Sequence, residues 1–136
     1  HKHLKEMKII SGLERTPMFS PIIADYYSGM FVSLPFYADM LNGKQTPESI
    51  HAFMTDYYKE QKFINVMPFG AEADTNGFIG ANNLSGWDGL QLFVTGNEER
   101  ILLTTRFDNL GKGASGAAIE CMNIVLGCDE SKGLNL

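Results

Sequence analysis

From Leu90 to Leu126 the chain dictates much of its own local structure. Leu90 to Thr95 and Arg100 to Phe107 are runs rich in apolar and β-branched residues, and Gly96-Asn97-Glu98-Glu99 supplies turn chemistry between them, which predicts an antiparallel hairpin. The second strand runs straight into Asp108-Asn109-Leu110-Gly111-Lys112-Gly113-Ala114-Ser115-Gly116, a glycine-broken loop, and then into an Ala-rich segment. A helix is predicted there from about Gly113 to Leu126, stopping at Gly127. Gly111, Gly113 and Gly116 remove side-chain bulk, so backbone can approach a neighbour closely. The first helical turn is expected to offer unpaired N–H groups and a positive dipole end to an anion or cofactor. A tight turn packed on a neighbouring element is the competing reading of the same residues.

Upstream, Leu4 to Ile10 reads as a short helix ended by Gly12, with Pro17 and Pro21 forcing extended backbone beyond. Gly29 to Tyr37 reads as a strand in which Pro35 demands an edge position or a bulge. Thr46 as cap, Pro47 at the first helical position and Ile50, Phe53, Met54, Tyr57 and Tyr58 at helical spacing predict a second helix. Phe63 to Val66 and Gly77 to Leu84 are predicted strands. Strands broken by one helix and closed by another indicate an α+β fold, with a mixed, mainly antiparallel sheet and helices on one face. No repeat or linker divides residues 1–136, so a single domain is expected.

Composition excludes several classes of function. A chain of 136 residues can bury about two-thirds of its unfolded surface, enough for a core of its own. Its 11 Lys and Arg are spread thinly under a net charge of −5, which leaves no basic stripe for nucleic acid. No apolar run reaches the length of a membrane span. Cys121 and Cys128 lie about 10 Å apart if helical, too far for a disulfide, so reduced thiols and a cytoplasmic location are expected. Cys121, beside Ile124 and Val125, is expected to be a buried, inert thiol. His1, His3 and His51 could in principle share a metal, but without a cysteine cluster or a second histidine pair no metal site is expected.

The segment Asp108 to Ala118, with Met122-Asn123 and Leu126-Gly127, resembles the C-terminal signature of the N-acetyl-gamma-glutamyl-phosphate reductase family. His1-Lys2-His3-Leu4-Lys5-Glu6 resembles the His-Arg-His-x-Pro-Glu segment of that family, and Thr16-Pro17 followed by Pro21 resembles its Thr-Pro-His-x-x-Pro segment. The resemblance implies a C-terminal domain of the glyceraldehyde-3-phosphate-dehydrogenase-like type, with an NADP-binding Rossmann domain and a catalytic cysteine upstream and absent from this sequence. It implies an enzyme of arginine biosynthesis that reduces N-acetyl-glutamyl 5-phosphate to the semialdehyde with NADPH and release of phosphate, through a cysteine thioester. His1 matches the acid/base histidine, a role that suits an imidazole titrating near neutrality. Lys2, His3 and Glu6 would contact substrate, although Lys2 replaces an arginine and loses its planar fork. Asn109, Lys112 and Gly113 would face the cofactor, and the free face of the sheet would join two copies in a homo-oligomer. Alone, the chain is expected to be inactive. The alternatives are a domain like that of aspartate-semialdehyde dehydrogenase, which fits the same residues less well, and a non-enzymatic dimerisation module.

Overall fold

The computed structural model describes residues 2–136, with Asp74 described in its backbone only. Among the described residues three α-helices, α1 (Leu4–Ser11), α2 (Pro47–Tyr58) and α3 (Gly116–Val125), accompany four strands, β1 (Met30–Tyr37), β2 (Ile64–Val66), β3 (Leu90–Gly96) and β4 (Arg100–Phe107). The strands lie in the order β1-β4-β3-β2. β4 pairs antiparallel with β1 and β3, whereas β2 runs parallel to β3, so the expected mixed, mainly antiparallel sheet of an α+β fold is present. The hairpin turns where Asn97 Oδ1 accepts from the Glu99 and Arg100 N–H groups at 3.0 and 2.9 Å. This side chain mimics backbone and fixes the register. β1 is an edge strand, as Pro35 requires.

Helix α2 starts where Thr46 and Ser49 satisfy each other's backbone N–H groups, with Pro47 preset for the first turn. Ile50, Met54 and Tyr58, spaced four apart, pack with Ala38, Leu92, Val94 and Ile101 to form the core. Full burial of an aliphatic side chain such as Ile101 contributes about 1.5–3 kcal/mol. Paired residues of an antiparallel sheet share a face, so Val32 and Leu34, opposite Thr105 and Leu103, lie on the side of α2. The helix lies chiefly over β2 and β3. Val32 and Leu34 therefore stay 50% and 60% exposed. Phe93 and Leu102 fall on the opposite face, so the apolar residues of the strands divide between the two faces.

Residues 77–84 do not form the expected strand. The chain makes a short 3-10 helix at Ala71–Thr75 and then turns, with the Ser85 N–H bonded to the Asn82 carbonyl and the Trp87 N–H to that of Leu84. Its glycine and asparagine residues favour turns, and no neighbouring strand offers this segment a ladder.

Candidate functional site

The loop between β4 and α3 is built around Asp108, which is only 3% exposed. Its Oδ2 accepts from the Gly86 N–H at 2.6 Å and its Oδ1 from the Leu110 N–H at 2.8 Å. Burial pushes this carboxyl up, but the Gly86, Leu110 and Gly111 N–H groups and the Ser28 hydroxyl hold it below the usual carboxylate range. Beside it, Asn109 Oδ1 accepts from the Gly29 N–H at 2.7 Å. Ser28 and Ser85 are joined hydroxyl to hydroxyl at 2.8 Å, and the Ser85 hydroxyl approaches the Ser28 carbonyl at 3.0 Å. Gly29 has φ +130°, and a Cβ there would come within 2.5 Å of the Ala81 carbonyl oxygen, so glycine is required. Three distant segments thus meet at one polar junction.

Past Asp108 the backbone does not open into an anion cradle. Residues Gly111–Ser115 form a π-helical turn that leads into α3. The Gly113 N–H donates to the Asp108 carbonyl, that of Ser115 to Leu110 and that of Gly116 to Gly111. The expectation of unpaired N–H groups at this turn is corrected for those of Leu110, Gly111, Gly113, Ser115 and Gly116, which i→i+5 bonds and the Asp108 carboxylate take up. The absent side chains serve close packing, since a Cβ on Gly116 would overlap Asp88 Oδ1 and one on Gly113 would come 3.2 Å from the Phe107 ring. Asp88 also binds the Asn135 backbone N–H at 2.9 Å, which ties the C-terminus to the junction.

Of the residues expected near a cofactor, Lys112 is largely buried. It pairs with Glu120 and lies 4.6 Å from the centre of the Phe63 ring, so it links α3 to the residue before β2. Asn109 spends its oxygen on Gly29, while its Nδ2 has no partner among the described residues. Gly113 lies exposed at the surface of the turn.

The N-terminal group occupies a different setting. His1 lies outside the described residues. Lys2, His3 and Glu6 are all exposed, with His3 at the N-cap of α1 and Glu6 in its first turn. Gly12, left-handed at φ 70°, ends the helix as expected. No residue of α1 is buried. His51 stands apart on α2, where its Nε2 lies 2.9 Å from the Met67 carbonyl oxygen and so acts as donor. Among the described residues no three His, Cys, Asp or Glu side chains gather as a metal site. Cys121 is exposed, not buried as expected, because α3 packs chiefly against the π-helical turn that precedes it and not on the sheet. Among the described residues no helix is long and apolar enough to cross a membrane.

Sequence reasoning gave Asp108, Asp88 and Ser28 no role. An Asp opening a glycine-rich turn was the one available signal for Asp108. The pairings of Ser28 with Ser85 and of Asp88 with Asn135 span 57 and 47 residues and leave no local trace.

The family model described as "Semialdehyde dehydrogenase, dimerisation domain" matches residues 1–109. The chain is similar to N-acetyl-gamma-glutamyl-phosphate reductase 2 of Nostoc sp., with 41% identity over 138 residues, 98% of this chain and 43% of the relative. It is also similar to the N-acetyl-gamma-glutamyl-phosphate reductases of Brucella suis and Brucella ovis, each 39% identical over 129 residues, 93% of this chain and 41% of theirs. The chain spans about two-fifths of the length of these curated relatives.

Proposed function

This chain belongs to the semialdehyde dehydrogenase dimerisation-domain family, and from that premise we propose that it is the C-terminal substrate and dimerisation domain of an N-acetyl-gamma-glutamyl-phosphate reductase. The intact enzyme reduces N-acetyl-glutamyl 5-phosphate to the semialdehyde and releases phosphate in the cytoplasm, as a step of arginine biosynthesis. The observation that carries this reading is similarity to reductases of that name across 98% of the chain.

In this reading a Rossmann domain outside the chain binds NADPH, which supplies the hydride, and also carries the cysteine nucleophile. The turn at Gly111–Ser115 spends the N–H groups of Gly111, Gly113 and Ser115 inside the fold, which does not suit a phosphate cradle. Its contribution toward the cofactor is a smooth surface at Gly113, with the Asn109 amide and the held Lys112 ammonium beside it. His1 moves the proton as the acyl group is reduced, and Lys2, His3 and Glu6 hold the substrate; the exposure of these three suits a surface that meets a ligand and a second domain. The homo-oligomer forms through the sheet face opposite α2, where Phe31 and Tyr37 present aromatic surface.

The test is an assay of the intact gene product for NADPH oxidation dependent on N-acetyl-glutamyl phosphate. His1→Asn is expected to lower kcat by about 100-fold or more, the usual weight of a general acid or base. Turnover by this chain alone, or full activity in the His1 variant, would overturn the reading.

A further inference from the structure

On the sheet face opposite α2, the segment 67–83 folds beside Phe93 and forms an open-sided cavity of about 430 Å³. That volume lies within the usual range of small-molecule sites, about 300–1,000 Å³. Its walls are mainly apolar, from Met67, Phe69, Phe78, Ile79 and Phe93, with Thr75 and Asn83 beside them, and among the described lining residues Arg106 is the only charged one. We propose that Arg106 and this cavity bind a small carboxylate carried on an apolar body.

The setting of the guanidinium carries the argument. Its Nε donates to Gln91 Oε1 at 2.7 Å and its Nη1 to the Gly80 carbonyl oxygen at 3.1 Å, while its Cζ stands 5.3 Å from the centre of the Phe93 ring. Three contacts fix the plane of the group, yet both hydrogen-bond acceptors are neutral. Among the described residues no carboxylate lies within ion-pair distance, and Nη2 has no partner. Burial accordingly pushes the guanidinium down from its ordinary value, with no anion among the described residues to offset the desolvation. A partly buried, oriented and uncompensated cation at an apolar wall is stabilised by an arriving anion. A carboxylate matches the planar N–H edge of an arginine with two parallel bonds and brings a single charge. A phosphate dianion would find only this one cation among the described wall residues.

The site is independent of His1 and of the proposed reaction, so its failure leaves that reading untouched. The test is a titration of the chain, followed by NMR, with hexanoate, 1-hexanol and inorganic phosphate. Hexanoate is expected to saturate at resonances of the 67–83 segment, at least tenfold more tightly than either other probe. Arg106→Gln is expected to weaken hexanoate tenfold or more and leave 1-hexanol unchanged, and Arg106→Lys to recover part of the loss. Phe78→Ala, at a wall residue that is 81% exposed and so dispensable for folding, is expected to weaken hexanoate and 1-hexanol alike. Equal hexanoate affinity in the wild type and both arginine variants would overturn the proposal. If Arg106→Gln fails to fold, unaltered hexanoate binding in Phe78→Ala and Arg106→Lys does the same. Sedimentation showing that Arg106→Gln weakens self-association, while saturating hexanoate does not, would assign the arginine to a carboxylate of a second copy and equally refute the small-molecule site.

Discussion

The junction around Asp108 and the arm that precedes β1 are opposites in how they satisfy their chemistry. At the junction each Asp108 carboxylate oxygen accepts a backbone N–H, and residues from four parts of the chain share a few hydrogen bonds. In the arm, Ile10 is 85% and Ile23 97% exposed. The region that resembled a ligand cradle in sequence is closed on itself, and the arm carrying His3 presents its surface outward. Glycine content alone does not distinguish a cradle from a tightly packed turn, because both need backbone to come close. What separates them is where the N–H groups go.

The sharpest way to break this contrast is Asp108→Ala, which orphans the Gly86 and Leu110 N–H groups together and is expected to cost about 3 kcal/mol or more in denaturant unfolding. The same carboxylate predicts a pH signature. Its folded pKa lies below its ordinary 3.8, so its contribution is complete above that ordinary value and is lost as pH falls through the folded one. Wild-type stability should therefore drop below about pH 4, and Asp108→Asn should flatten that part of the profile. Gly29→Ala comes next, at about 2–3 kcal/mol, because it combines a left-handed φ with backbone overlap at Ala81. Lys112→Met should cost about 1–2 kcal/mol by freeing Glu120 and removing the cation from Phe63, seen as a lower thermal midpoint. Glu6→Gln, in the arm, should change stability by less than about 0.5 kcal/mol. A large effect at Glu6, or none at Asp108, would dissolve the distinction between the two regions.

The same contrast marks what could be read from sequence. The hairpin, α2 and the position of β1 were legible because local chemistry decides them: Asn97 in the turn, Thr46 and Pro47 at the cap, and Pro35 in an edge strand. Residues 77–84 misled because Phe78, Ile79 and Leu84 suggest a strand, whereas the intervening Gly and Asn close turns. Cys121 misled because a helix of small and apolar residues reads as buried, while the burial of α3 depends on what lies against it. At the site, the resemblance drew attention to the loop between β4 and α3 but not to its anchor. Asp108 acts through groups at residues 28 and 86, and such partners emerge only once the chain has folded.

Pro35 has a consequence for how copies of this chain can meet. The Ala38 N–H donates to the Glu99 carbonyl, and N–H directions alternate along a strand, so the missing donor of Pro35 falls on the open margin of β1. A foreign strand aligning there would meet a gap in the middle of its ladder. Sideways growth into a continuous sheet is discouraged by one ring, and association is steered toward the broad surfaces of the sheet, where contacts are made by side chains and can be selected residue by residue.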